Sequence, residues 1–390
     1  MTTVDEHAAH VRQLLALNPG VESVQLQAAL GRVTAESVLS PVDLPLFRNS
    51  QMDGFAVRAA DVADAPVRLV VSGEVSAQPS NPAELAPGTA VRIMTGAVVP
   101  PGADAVVPVE DTSPAGGAVL IRRSRTAGEY VRDRGSDLRA GDELLAAGIR
   151  LASRHLAAVA AAGVTALPVR ALVRVAVITT GSELVQPGDT PVLGQVFDSN
   201  ATALDAAVRA AGGIVAWRGH VADDTLAMTA ALSQAATVAD VILTSGGISM
   251  GDYEVVRETL EPLGATVGHV AMQPGGPQAT ARFAGVPVVC FPGNPVSTQL
   301  SFEVFVAPLL REAAGLPAAV TSRRPLTVDV NSVAGKRQFL RGREVDGGVA
   351  LVGGSSSHLV AGLAASDLLV IVPDDVTALK AGDDVETLAL

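Results

Sequence analysis

Asp240-Val-Ile-Leu-Thr-Ser-Gly-Gly-Ile-Ser-Met-Gly-Asp-Tyr-Glu-Val-Val-Arg-Glu-Thr-Leu-Glu261 is the stretch whose reading decides the fold. Residues 240–244 carry an apolar run that reads as a buried strand, and residues 254–261 place apolar side chains at helical spacing. Between them lies a turn rich in glycine and serine, with Ser245, Gly246, Gly247, Ser249, Gly251 and Asp252. A strand, such a turn and then a helix leave free backbone N–H groups and a helix N-terminus, a combination that attracts an anion. Asp252 has the wrong charge for a bare anion hole. A divalent cation bridging Asp252 to a phosphate or another oxyanion resolves the conflict.

The same alternation continues on either side. Segments 173–179, 213–218, 241–244 and 286–291 read as buried strands, and 200–211, 225–236, 253–260 and 297–314 as helices between or after them. That pattern predicts a doubly wound parallel sheet covered by helices on both faces, spanning 171–316. Ligands of such sheets bind at the carboxyl ends of the strands. The flanking textures differ. Thr3 to Glu6 has capping-box spacing before an apolar face of Ala8, Val11, Leu14 and Leu15, and a second helix is expected over 21–30, stopped by Gly31. Pro41 and Pro45 keep the next segment extended. Short runs of β-formers at 67–71, 89–94, 105–109 and 118–121, separated by turns such as Pro101-Gly102, make 41–145 an inserted β module. Residues 153–164 return to helix and are expected to pack on the N-terminal helices, giving a discontinuous helical domain of 1–40 and 146–170. Beyond a linker at Pro317, runs at 326–330, 338–341 and 368–372 suggest a C-terminal β-barrel over 320–390. The fold class is therefore multidomain α/β.

Composition limits what such a protein does. A chain of 390 residues exceeds one ordinary core, so about two to four domains are expected. The single cysteine, Cys290, rules out a disulfide framework, and its place in a strand makes it an inert buried thiol. A net charge of −12 argues against nucleic-acid and membrane-surface binding. The N-terminus lacks the basic and apolar segments of a secretory signal, and the Ala-rich stretch 156–167 is too short to span a bilayer, so a cytoplasmic protein is expected. Of 28 basic residues only Lys336 and Lys380 are lysine, which leaves arginine, backbone N–H or a metal to hold an anion.

Several loops stand at strand ends. Thr180-Gly181-Ser182-Glu183 permits close backbone approach and supplies a carboxylate, or is a plain turn. Pro292-Gly293-Asn294-Pro295-Val296-Ser297 has proline suited to a first helical turn and Asn294 as an N-cap; it is either a rigid helix start or part of a ligand site. Asp223 and Asp224 precede a helix as dipole partners or as metal ligands. Asp53 within Asn49 to Ala56, and Thr95 before Gly96, sit in turn-like contexts of the β module. The zinc, P-loop, dinucleotide and nucleophile-elbow signatures are all missing from the sequence. What remains is an acid-rich, glycine-lined site for a metal and an anion.

Taken together, five motifs resemble the molybdopterin molybdenumtransferase family (MoeA and the C-terminal part of gephyrin). They are Leu44-Pro-Leu-Phe-Arg-Asn-Ser-Gln-Met-Asp-Gly-Phe-Ala-Val-Arg58, Arg92-Ile-Met-Thr-Gly-Ala97, Thr180-Gly-Ser-Glu-Leu184, Ser245-Gly-Gly-Ile-Ser-Met-Gly-Asp-Tyr253 and Pro292-Gly-Asn-Pro-Val-Ser297, found in family order over nearly the whole chain. The resemblance implies Mg²⁺-assisted insertion of molybdate into adenylylated molybdopterin, with release of AMP and molybdenum cofactor. It also implies a homodimer, with a molybdopterin adenylyltransferase and molybdoenzymes as further partners. By position it makes Asp53, Thr95, Asp137, Glu183, Asp223 and Asp252 catalytic, with Glu183, Asp223 and Asp252 on the metal. Substrate binding falls to Thr180, Gly181, Ser245, Gly246, Gly247, Ser249, Gly251, Pro292, Gly293, Asn294, Pro295 and Ser297. Arg341 and Ser357 correspond to residues of the C-terminal domain that reach the partner subunit's cleft.

The chain departs from the family at one segment. Where the family carries lysine, this sequence has His269, Gln273 and Gly276 in His269-Val-Ala-Met-Gln-Pro-Gly-Gly-Pro277. Cations at those positions would hold oxyanion or phosphate charge. Their replacement keeps two other readings in view: a carrier or storage protein that binds molybdopterin or its adenylylated form without inserting metal, and a scaffold built on the same fold.

Overall fold

The computed structural model describes residues 1–248 and 254–390. The chain divides into two units, Met1–Glu22 with Arg170–Leu390, and Ser23–Val169. The first is built on a six-stranded sheet in the order Gly213–Val221, Val173–Thr180, Val241–Ser245, Val286–Phe291, Pro277–Phe283, Thr266–His269. The four strands read from the sequence pair in parallel. Alternation along them divides the core. Val173, Val175 and Val177 meet Leu204, Val208 and Phe302 on one face, while Ala176 and Ile178 meet Met228, Leu232 and Val256 on the other. A sheet clad on both sides in this way needs apolar residues at successive positions, which is why these strands appear as unbroken apolar runs.

The strand order reverses where it matters. From Val173–Thr180 the chain moves outward to Gly213–Val221, then returns to Val241–Ser245 on the opposite side. Thr180 and Ser245 thus end adjacent strands at a topological switch point, the usual ligand position in open α/β sheets.

One edge differs from the expected parallel sheet. Pro277–Phe283 and Thr266–His269 run antiparallel, each to its neighbour. Ala284 (φ +48°) and Gly285 (φ +84°) form the tight turn between Pro277–Phe283 and Val286–Phe291. Two successive positive φ values match the twist of a two-residue hairpin, but only one of the residues is glycine, so the turn signal is weak. The helix expected over 297–314 is two, Pro295–Phe305 and Ala307–Ala314.

The N-terminal helix, Val4–Leu15, carries the predicted capping box: Glu6 N–H donates to Thr3 Oγ1 (3.2 Å) and Thr3 N–H to Glu6 Oε2 (2.8 Å). It does not join the 153–164 segment. Val4, Val11 and Leu15 are buried in the α/β core instead. The helix expected over 21–30 is a strand, Val21–Gln25, followed by a single 3₁₀ turn, Leu26–Ala28; Gly31 takes the predicted left-handed conformation (φ +78°). Pairing with Ala166–Arg170 overrides a helical pattern too short to stand alone.

The Ser23–Val169 unit contains a second six-stranded sheet, ordered Ala105–Pro108, Gly54–Val57, Thr89–Ile93, Val67–Val75, Ala118–Ile121, Thr112–Pro114. Each of the four β runs read there is a strand. At the C-terminus, Arg337–Val345, Leu368–Val372, Asp384–Ala389 and Thr321–Pro325 are neighbours in one sheet, joined at one edge by Met272–Gln273 and flanked by Gly348–Leu351 on Arg337–Val345. The strand expected over 326–330 is displaced to Thr321–Pro325 and Val330–Asn331. Among the described residues no helix is long and apolar enough to cross a membrane.

Candidate functional site

A cleft of about 830 Å³ opens at the carboxyl ends of the parallel strands, lined by three strand-end loops, by 272–277 and by 355–358. Each loop is fixed by its own chemistry. Gly246 takes φ +96°, and a Cβ there would stand 2.6 Å from Thr180 Oγ1 and 2.8 Å from Thr180 O. Gly293 lies so close that its Cβ would meet Gly246 Cα at 3.3 Å. Gly246 is therefore required by loop-to-loop contact, Gly293 packs tightly against it, and both leave the cleft wall as bare backbone.

Buried hydroxyls and amides hold these loops together. Asn200 Nδ2 donates to Ser245 Oγ and to the Gly293 carbonyl, both at 2.8 Å. Thr298 Oγ1 donates to the Pro292 carbonyl (2.6 Å), and Thr179 Oγ1 donates to Asp198 Oδ2 (2.6 Å). Asp198 and Asn200 also line the cleft, and Asn200 Oδ1 has no hydrogen-bond partner among the described residues. Pro295 begins its helix with Asn294 at the N-cap, but the Asn294 side chain makes no capping bond; its carbonyl accepts from Thr298 N–H at 2.9 Å.

The acids fall into separate places. Glu183 and Asp223 are exposed and line the cleft. Asp223 Oδ2 accepts from Ser182 Oγ (2.9 Å) and Ser182 N–H (3.2 Å). The capping task belongs to Asp224, whose Oδ1 accepts from Ala227 N–H at 2.8 Å. Asp53, Thr95 and Asp137 lie in the other unit. Asp53 Oδ1 accepts from Thr95 N–H and Thr95 Oγ1, each at 2.7 Å, and these bonds hold its carboxyl below the usual range. Asp137 is exposed, its N–H bonded to the Leu44 carbonyl at 2.9 Å.

Of the residues the motifs assign to substrate binding, Thr180, Gly181, Gly246, Gly247, Pro292, Gly293, Asn294, Pro295, Ser297 and Ser357 line the cleft. Ser249, Gly251 and Asp252 lie outside the described residues. Two expected ligand residues do other work. Ser245 is 1% exposed, with Oγ held by Asn200 and 3.1 Å from Thr298 Oγ1, so it braces the loop from behind. Arg341 is 3% exposed, and its guanidinium donates to the carbonyls of Ser356 (3.1 Å), Leu359 (3.3 Å) and Gly354. It shapes the serine loop rather than facing the cleft, and that loop reaches the cleft of its own chain, where Val296 N–H bonds the Ser357 carbonyl at 3.1 Å.

The sequence reading passed over Asp198, Asn200, Glu254, Lys336, Ser355, Ser356 and His358, all of which line the cleft. Asp198-Ser-Asn200 carries a visible signal as the N-cap of helix Ser199–Ala210, where Asp198 Oδ1 accepts from Ala201 N–H at 3.0 Å. Lys336 carries none, because only the folded chain brings it to the cleft. Cys290 is fully buried, its thiol pushed up to about 12 by burial, which suits the inert thiol expected of it.

With this geometry in hand, three family models match the chain in order: the MoeA N-terminal region (domain I and II) over 2–163, a probable molybdopterin binding domain over 176–312, and the MoeA C-terminal region (domain IV) over 323–390. Molybdopterin molybdenumtransferase 2 of Mycobacterium tuberculosis is 41% identical, with 99% of each chain covered. The molybdopterin molybdenumtransferase of Bacillus subtilis is 32% identical over 95% of this chain and 90% of its own. Among solved structures, a molybdopterin biosynthesis moea protein from Pyrococcus horikosii superposes with a TM-score of 0.83 at 34% identity, covering 100% of this chain and 99% of that one.

Proposed function

The chain belongs to the molybdopterin molybdenumtransferase family and is an enzyme of molybdenum cofactor biosynthesis, and from that premise we propose that its cleft takes adenylylated molybdopterin and molybdate, releasing AMP and molybdenum cofactor. The observation that carries this reading is the meeting of a glycine-walled crevice with two exposed carboxylates, Glu183 and Asp223, at the strand-order reversal. The backbone N–H groups of Gly247, Gly293 and Asn294 suit phosphate or oxyanion oxygens.

Among the described residues no three His, Cys, Asp or Glu side chains converge as a cage for a metal. Exposed Glu183 and Asp223 nevertheless fit Mg²⁺, which keeps several waters and takes one or two carboxylates together with substrate phosphates. When bound there, Mg²⁺ would neutralise phosphate and oxyanion charge. Ser182 orients Asp223 through both its N–H and its hydroxyl, holding one carboxylate oxygen so that the other stays available. Splitting the phosphoanhydride then depends on positioning and charge, with no protein nucleophile. Asp53, Asp137 and Thr95 are assigned to the same reaction on the strength of the motifs. The proposal extends to a cytoplasmic homodimer served by a molybdopterin adenylyltransferase and delivering to molybdoenzymes, with a C-terminal sheet curled as a barrel, to which the Leu326–Val349 bridge lends support.

A second reading has its own observation. Gln273, at a family lysine position, is engaged by Gln338, whose Nε2 donates to Gln273 Oε1 at 2.5 Å. A cleft without those lysines suits a carrier of molybdopterin. Complementation of a cell lacking its own molybdenumtransferase, scored by a molybdoenzyme's activity, separates the two. Restored activity is expected. A well-expressed chain that binds adenylylated molybdopterin yet restores nothing supports the carrier.

A further inference from the structure

We propose that Lys336 supplies the fixed positive charge of the cleft and holds a phosphate or other tetrahedral oxyanion there. The inference deepens the reading above and rests on it for the identity of the anion. Its starting point is an imbalance. Glu183, Asp198, Asp223 and Glu254 line the cleft, and among the described lining residues Lys336 is the only lysine or arginine. His269 and His358, also in the lining, are exposed. An anion entering this site meets one basic side chain other than histidine among the described lining residues.

Backbone pairing explains how Lys336 arrives. Met272 pairs with Arg337 and Gln273 with Gln338 in a short parallel ladder. Alternation puts Gln338 on one face of that strand and Arg337 on the other, where its guanidinium grips Asp5 at 2.7 and 2.9 Å. Lys336 immediately precedes that strand and lines the cleft together with Gln273 and Gly276, at the margin of the segment that has lost its own cations. Among the described residues no carboxylate pairs with the Lys336 ammonium, whereas Lys380, the other lysine, is 2.8 Å from Asp329. An ammonium that is half-buried, unpaired and beside a glycine-walled crevice is available to an incoming anion.

The test titrates the full chain with inorganic pyrophosphate and, separately, with molybdate, by calorimetry at low salt. Lys336→Gln is expected to weaken both anions about ten- to a hundredfold, the range for a charged contact. Lys336→Arg should stay within a few-fold of the parent, and Lys380→Gln, which alters net charge equally, should leave binding unchanged. Parent-like binding by Lys336→Gln, or an equal loss in Lys380→Gln, overturns the inference. Turnover of adenylylated molybdopterin is measured on the same proteins. Parental turnover with anion binding indifferent to Lys336 sinks the inference alone. An inert parent whose anion binding still depends on Lys336 sinks the proposed reaction alone.

Discussion

Gly246 shows how much of the site rests on single residues. Its φ of +96° is unfavourable for any side chain, and a Cβ would collide with Thr180. Gly264 offers the comparison: φ is +87°, but nothing lies within 4 Å of its Cβ position. Gly264→Ala should therefore cost about 1 kcal/mol of stability from backbone conformation alone, and Gly246→Ala about 2–4 kcal/mol, with pyrophosphate binding lost as well. Urea unfolding of both variants measures the difference, and equal midpoints would remove the proposed loop-to-loop contact. His7 gives a prediction of another kind. It is 8% exposed, edge-on to Phe305 at 4.7 Å between ring centroids, and held down to about 4 by burial and by the charge of His10. The native state then refuses a proton that the unfolded chain accepts below about 6.5. Stability from this group is complete above that pH and drains away as pH falls toward 4, by roughly 3 kcal/mol in all. His7→Leu should flatten that part of the pH dependence, read as urea midpoints at pH 7.5, 6 and 5; unchanged slopes would exclude His7 as its source. At this scale glycine and acid positions were legible because turn and ligand chemistry restricts residue type. Lys336 was not, since any polar side chain suits its local sequence and only the folded chain brings it to the cleft.

At the scale of elements, the parallel strands were legible because burial on both faces demands apolar runs. The edge strands were not, because Pro277–Phe283 mixes Gln278, Thr280 and Arg282 with alanine and turns through Ala284-Gly285. That edge strand anchors one wall of the cleft. Gln278 is 2% exposed, and its Nε2 donates to the Gly275 carbonyl (2.8 Å) and to Ser301 Oγ (2.7 Å). It ties the 273–277 segment to helix Pro295–Phe305 behind the Pro292 loop. Gln278→Leu fills similar space but leaves the Gly275 carbonyl and the Ser301 hydroxyl without that donor. We expect a loss of about 1–3 kcal/mol and faster hydrogen exchange in Gly276 and its neighbours, with the exchange of Val173–Thr180 unchanged. Uniform acceleration across both strands would mean that Gln278 supports the whole unit, not this wall. Similar physics explains the failed helix at 21–30: a segment that short follows whatever partner strand its tertiary setting provides.

For the whole molecule, texture in the sequence revealed a β module set between two other regions, while the packing of the N-terminal helix escaped because its apolar stripe fits any apolar surface equally well. The structure shows the chain leaving one unit and returning to it at adjoining points, with Ala171 N–H bonded to the Gly20 carbonyl at 3.0 Å. A unit entered and left at one place can be removed without stretching the rest. Replacing residues 23–169 with a short glycine linker between Glu22 and Arg170 is therefore expected to give a folded protein with one cooperative unfolding transition. Every lining residue of the cleft belongs to the retained unit, so pyrophosphate should bind within about threefold of the full chain and remain sensitive to Lys336→Gln. Asp53, Thr95 and Asp137 leave with the excised unit, so turnover should vanish if the reaction needs them. Binding without turnover would assign anion capture to one unit and a required part of the chemistry to the other. Full turnover by the excised protein would instead remove those three residues from the reaction, and a failure to fold would show that the retained core depends on contacts beyond those its own strands and helices supply.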